Sequence, residues 1–336
     1  MRDAAASVLV CAVESTALTD AEKFFYRKVA PSGVTLFARN ISPNYYETVD
    51  LVEELQSLRP QGEPPLVIAI DQEGGRVRRI KDPNFPNKGP AMCLADGGIS
   101  DEALSAIASY ATSVGEALLG LGINVNFAPV LDILTEPANI AIGDRAFGTD
   151  VDPVCRRAGA FLKAMQSTGV LGCLKHFPGQ GDAQVDTHVG KAIVDLPLKT
   201  LYDRELVPFR ALLDHASMVM VSHCIYPQLA HEEASRSPKV IGGLLRGEMG
   251  FEGVVVSDDM NMGALPQDRG PWLQSIIEAV AAGIDMVLVC RDLDKCQAAY
   301  DALTAAAAKS ASFDRRLRDA ATRVINLRSR LVGVSS

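Results

Sequence analysis

Two short stretches concentrate residue types that can move protons and form bonds to carbon. The first runs Lys175-His176-Phe177-Pro178-Gly179-Gln180-Gly181-Asp182 and continues to Asp186-Thr187-His188, so it holds two of the chain's five histidines. Asp186 and His188, in alternate positions, can form a carboxylate–imidazole pair. Such a carboxylate fixes the imidazole tautomer and favours its protonated form, which general acid/base work near neutrality requires. A solitary loop histidine is more often merely solvated, and the nearby aspartate is what raises this one above that reading. The second stretch, Val254-Val255-Val256-Ser257-Asp258-Asp259-Met260, ends an apolar run on carboxylates. Asp258, nearest the end of the run, is suited to act as a nucleophile, whereas Asp259 fits equally well as the cap of a following helix. A third stretch, Ile70-Asp71-Gln72-Glu73-Gly74-Gly75-Arg76-Val77-Arg78-Arg79, leaves an apolar run, turns through two glycines and returns basic side chains towards its start.

Chemistry of this kind needs a scaffold that brings distant stretches together. Short β-branched runs alternate with longer amphipathic segments, the βαβα rhythm of a parallel sheet covered by helices. The expected strands are Ser7–Val13, Gly33–Ala38, Pro65–Ile70, Ile123–Ala128, Gly172–Lys175, Ser217–Ser222, Gly253–Ser257 and Ile284–Val289. The expected helices are Asp20–Val29, Tyr45–Leu58, Asp101–Leu119, Pro153–Ser167, Leu201–His215, Pro238–Met249, Trp272–Ala282, Leu293–Ala308 and Phe313–Leu331. Eight strand–helix units predict an α/β fold, a closed (β/α)8 TIM barrel. With no linker-like tract or internal repeat, residues 1–336 are expected to form a single domain. All eight carboxyl ends of such a barrel open on one mouth. Asp71-Gln72-Glu73, Asp132, Lys175-His176, Ser222-His223, Asp258-Asp259 and Arg291 would therefore share a cleft. Any one of these positions is more often an ordinary polar loop residue, but six strand ends carrying such groups favour a site. Two connections, Asp71 to Ser100 and His176 to Leu198, are long for such loops, and long loops in compact domains tend to be functional.

Composition narrows the partners. The chain has 336 residues, 41 acidic and 33 basic, a net charge of −8, and no block of like charges that would grip nucleic acid or an anionic membrane. The longest apolar runs, Ser7 to Val13 and Ile284 to Cys290, are strand-sized, so no membrane span is expected. Met1-Arg2-Asp3 precedes too short an apolar run for a secretory leader. Seven scattered cysteines without a Cys-x-x-Cys pair fit reduced thiols in a cytoplasm.

Taken together, IDQEGGRVRR, NFAPVLDI, IGDRAFG, KHFPGQGD, DTH and VVVSDDMNMGA resemble glycoside hydrolase family 3, specifically its single-domain bacterial β-N-acetylhexosaminidases. The similarity runs from about Val8 to the last helix, with the six motifs in the family's order. It implies a (β/α)8 barrel that removes terminal β-linked N-acetylglucosamine from muropeptides during peptidoglycan recycling, without cofactor or metal. By this resemblance Asp258 is the nucleophile, and Asp186 and His188 are the acid/base dyad. Asp71, Arg79, Arg145, Lys175 and His176 would hold the hydroxyls of the non-reducing-end sugar, with Met260 near it. Two departures stand out: Gln180 replaces the family's usual second histidine, and Thr187 its usual serine. Glutamine keeps hydrogen-bonding capacity but does not titrate.

The resulting expectation is a monomeric retaining enzyme working through a covalent glycosyl-enzyme, with the loop around Gly179 and Gly181 moving to deliver His188. Four other readings compete with it. A family 3 phosphorylase would use phosphate as acceptor, and a histidine acid/base offers no charge to repel the dianion. The enzyme could be a β-glycosidase of different sugar preference. A metal-dependent barrel hydrolase would draw ligands from His176, His188, His223 and Asp258, although no His-x-His or His-Glu-x-x-His occurs. A sugar-binding barrel without activity would not need the three proposed catalytic residues.

Overall fold

Eight short parallel strands close on themselves in chain order in the computed structural model, which describes residues 3–95, 97–184, 186–187 and 190–331. They are β1 (Leu9–Cys11), β2 (Gly33–Leu36), β3 (Val67–Ile70), β4 (Val125–Asn126), β5 (Leu171–Phe177), β6 (Met218–Val221), β7 (Val254–Asp259) and β8 (Met286–Leu288). Pairing of Leu9 with Val287 and of Val10 with Leu288 seals the barrel.

Helices α2 (Asp20–Lys28), α3 (Tyr45–Ser57), α4 (Asp101–Gly120) and α5 (Val151–Ser167) follow the first four strands, after a short α1 (Ala4–Ser7). After β5 comes α6, a composite over residues 198–215 that includes a wide π-type turn at Leu201–Glu205. The π-type α7 (Lys239–Glu248), α8 (Arg269–Ala282), α9 (Leu293–Lys309) and α10 (Ala311–Arg328) complete the ring. Helix starts follow the capping residues. Thr19 and Glu22 form a capping box on α2, and Ser100, Asp292 and Ser310 cap α4, α9 and α10.

The strands read as continuous apolar runs because both faces are buried. Val10, Val67, Ala69, Val125, Cys173, Met218, Met220, Val254, Val256 and Met286 fill the barrel interior. The alternate residues Ile68, Ile70, Val219, Val221 and Val255 pack outward into the layer shared with the helices.

The expected architecture is present, with local differences. Residues 4–7 are helical instead of opening a strand, because Asp3 caps three consecutive alanines through a bond from the Ala5 amide. A third long connection, residues 127–150, joins the two anticipated ones and carries Arg145. No helix follows Asp259 directly. Its carboxylate instead accepts bonds from the Asn261 backbone and side chain and from the Cys290 amide, pinning the turn after β7 to the end of β8.

Candidate active site

The inward register of each strand continues past its end. Val67 and Ala69 point inward, and so does Asp71; Cys173 is followed by Lys175, and Val254 and Val256 by Asp258. Period two therefore delivers one carboxylate from β3, an ammonium from β5 and another carboxylate from β7 to the same mouth. Asp71, Arg79, Asp258 and Asp259 line a cavity of about 610 Å³ there, with Thr35, Phe37, Phe127, Met220, Met262, Leu288, Cys290 and Arg291. A sugar ring fits in a space of this size.

Behind Asp71 lies a connected ion network. Lys175, with its side chain only 1% exposed, reaches Asp71 Oδ1 at 2.8 Å and Glu73 Oε1 at 2.7 Å. Arg79 donates to Asp71 Oδ2 at 3.0 Å, and Arg145 grips Glu73 with two bonds of 2.8 Å. Arg145 also approaches His176 Nε2 at 3.5 Å, while His176 Nδ1 lies 2.6 Å from Asp132. Burial alone would push the Asp71 carboxyl up, but the Lys175 and Arg79 cations outweigh it and hold it well below the usual carboxylate range. Glu73 is lowered in the same way by Arg145 and Lys175 against its burial. Lys175 is itself raised, because its two carboxylates overcome burial and the repulsion of Arg145. Asp71, Glu73 and Lys175 are thus fixed in their charged forms near neutrality, offering rigid acceptors and a donor to hydroxyl groups.

Local sequence explains the geometry. The buried Gln72 side chain accepts from the Arg79 and Ile80 amides and donates to the Ile80 carbonyl, folding the third stretch back so that Arg79 returns to Asp71. On β5, a register shift between Leu174 and Phe177 breaks the alternation, so the adjacent Lys175 and His176 both join the network. Asp132 Oδ1 then accepts the His176 and Gln180 amides.

The loop after β5 packs more tightly than its glycines suggest. A Cβ on Gly181 would lie 1.7 Å from the Ile133 carbonyl oxygen, so this glycine permits a close crossing of the β4 and β5 loops. Gln180 is buried, its side-chain oxygen accepting from the Cys224 thiol at 3.4 Å. The Thr187 carbonyl accepts from the Ala264 amide. Asp186 is half-buried in this loop, and His188 lies outside the described residues.

Two expectations are modified. Met260 is fully buried in the core, its carbonyl taken by the Trp272 indole, and the methionines facing the cavity are Met220 and Met262. His223 has both ring nitrogens engaged. Its Nε2 donates to the Asp259 carbonyl at 3.2 Å, so its Nδ1 accepts from Ser235 at 2.7 Å, and burial lowers its proton affinity. That neutral, fully occupied imidazole supports the barrel mouth. Glu73 and Asp132 were visible as strand-end groups, but their supporting roles appear only when Arg145 and His176 are placed beside them.

Residues 13–327, from just after β1 into the last turn of α10, match the model of the glycosyl hydrolase family 3 N terminal domain, and the chain belongs to this family of glycoside hydrolases. It is 37% identical over 286 residues to a beta-hexosaminidase of Stenotrophomonas maltophilia, covering 84% of this chain and 83% of that protein. A beta-hexosaminidase of Xylella fastidiosa is 36% identical over 305 residues, 90% of this chain and 88% of its own. Among solved structures, the Beta-N-acetylhexosaminidase of Beutenbergia cavernae superposes with a TM-score of 0.87 at 29% identity, covering 97% of this chain and 98% of that one. NagZ from Neisseria gonorrhoeae, in complex with N-trifluoroacetyl-D-glucosamine, gives a TM-score of 0.81 at 28% identity, with coverage of 98% and 90%.

Proposed function

We propose that the protein is a retaining exo-β-N-acetylglucosaminidase that releases terminal N-acetylglucosamine from muropeptides in cytoplasmic peptidoglycan recycling, with residues 1–336 acting as one catalytic domain and as a monomer. The observation that carries this reading is the inward-facing Asp258 in the same cavity as Asp71, which Lys175 and Arg79 hold charged. The relatives' activity and the amino-sugar analogue bound by the Neisseria protein support the choice of sugar.

In the first step an Asp258 carboxylate oxygen attacks the anomeric carbon as the glycosidic C–O bond breaks, and the leaving oxygen takes a proton from His188. In the second, His188 takes a proton from water, whose oxygen displaces Asp258 and returns it as a carboxylate. Asp186 would orient the imidazole and favour its cationic form. Asp71, Arg79, Arg145, Lys175 and His176 would hold the sugar hydroxyls, directly or through their shared network. No described helix is long and apolar enough to cross a membrane.

The test is turnover of a chromogenic β-N-acetylglucosaminide by wild type and by Asp258→Ala. A loss of several orders of magnitude is expected, and a near-normal rate in the variant would overturn the assignment.

A further inference from the structure

Glu205 closes the π-type turn of α6, directly beneath the loop that follows β5. Its side chain is 0% exposed. Oε1 accepts from Arg204 Nε at 2.5 Å, whereas Oε2 is enclosed and meets no hydrogen-bond donor among the described residues. Gly179 lies against this orphan oxygen, its backbone at φ +117° and the position of a Cβ only 3.1 Å from Oε2. The second arm of Arg204 donates to Asp182 of the same loop at 3.3 Å, and Thr135 donates to the same Asp182 oxygen.

We propose that Glu205 is the positioning residue for this loop: neutral Glu205 keeps residues 179–184 packed on the barrel, and its ionisation drives them to lift and admit water to Oε2.

The physical argument is the cost of an enclosed carboxylate oxygen without a donor, which lifting the loop relieves. The groups facing Glu205 fix the balance. Arg204 on its own helix attracts the charge. Asp182 from the β5 loop and Asp132 from the β4 loop, the latter already paired with His176, oppose it. Tyr226, after β6, spends its hydroxyl on the Gly179 carbonyl at 2.9 Å and offers Glu205 nothing. Burial outweighs Arg204 and pushes the Glu205 carboxyl up to about 7. A carboxyl raised by packing stabilises the packed form below its ordinary value and loses that contribution as the pH climbs through the raised one. Between the ordinary carboxyl value and the raised one each pH unit therefore shifts the packed-to-lifted ratio about tenfold towards lifted, and above the raised value the ratio levels off.

The consequence for turnover rests on the function proposed above, since this loop leads into Asp186 and His188. The experiment measures hydrogen-exchange protection factors of residues 179–184 in wild type and in Glu205→Gln from about pH 4 to about pH 8. Wild type should lose protection about tenfold per unit as the pH climbs from the ordinary carboxyl value to the raised one and level off above it, and the neutral isostere should stay protected. A flat wild type, or the same fall in Glu205→Gln, would overturn the proposal. If the variant does not fold, infrared titration of the wild-type carboxyls replaces it: one buried carboxyl titrating near neutrality is expected, and none would overturn the proposal. Where the variant folds, its kcat/KM should lose the corresponding fall with rising pH towards neutrality. Failure of the functional reading looks different, because a wild type inactive on β-N-acetylglucosaminides would still show the exchange titration.

Discussion

The backbone carbonyl of Thr187 accepts a hydrogen bond from the Ala264 amide across 3.0 Å, tying the loop after β5 to the turn after β7. The loop's far end is pinned as well, where Val194 donates to the Ile225 carbonyl and Ile225 to that of Ala192. Two sequence-distant stretches, one ending on Asp258 and the other containing Asp186, are thereby held side by side over one barrel mouth. The arrangement suits a reaction that needs a nucleophile below the sugar and a proton donor beside the leaving group.

If His188 supplies that proton, its loss should matter in proportion to how badly the leaving group needs it. His188→Ala is expected to slow cleavage of a disaccharide by a factor of at least about a hundred, and of an activated nitrophenyl glycoside by much less. Rates over a series of aryl glycosides measure this directly. Equal losses across the series would show that the histidine is not the acid.

Much of this was legible in the sequence, for identifiable reasons. All eight strands were expected because a parallel barrel buries both strand faces and writes continuous β-branched runs. Asp258 was favoured over Asp259 by its closeness to the apolar run, and the structure gives it the inward parity of Val254 and Val256. Other features were not readable. The β5 register shift that admits both Lys175 and His176 has no local signature, and neither does the crossing of Gly181 under Ile133. Gly179 and Gly181 invited a reading as hinges; in the structure Gly181 sits where the Ile133 backbone approaches too closely for a side chain, and Gly179 holds a φ of +117°. Met260 was placed near the sugar by resemblance, while the turn geometry set by Asp259 and Trp272 turns it into the core.

Removing the cation at the centre of the network should be costly. Lys175→Met leaves Asp71 and Glu73 buried together with less compensation, and a loss of about 3–5 kcal/mol of folding stability is expected. Urea denaturation of the two proteins checks it. A change under about 1 kcal/mol would mean that the network is not the buried structure described.

The carboxylates of the network also set an acid limit. Asp71 and Glu73 have proton affinities below their ordinary values, so their stabilisation is complete above about pH 5 and is lost as the pH falls towards their lowered values. Asp71→Asn should therefore show a shallower decline in unfolding free energy between about pH 5 and about pH 3 than wild type. At neutral pH it should also bind substrate more weakly, because the amide replaces one acceptor with a donor. Parallel decline of the two stability curves would contradict the assigned charge state.

The central claim is that Asp258 forms a bond to the anomeric carbon. Incubation with a fluorinated β-N-acetylglucosaminide that reacts quickly but hydrolyses slowly, followed by peptide mapping, tests it most directly. One sugar residue is expected on the peptide containing Val254–Asp259, located on Asp258, with the first-formed product retaining its anomeric configuration. An adduct on another residue, or a product of inverted configuration, would contradict it.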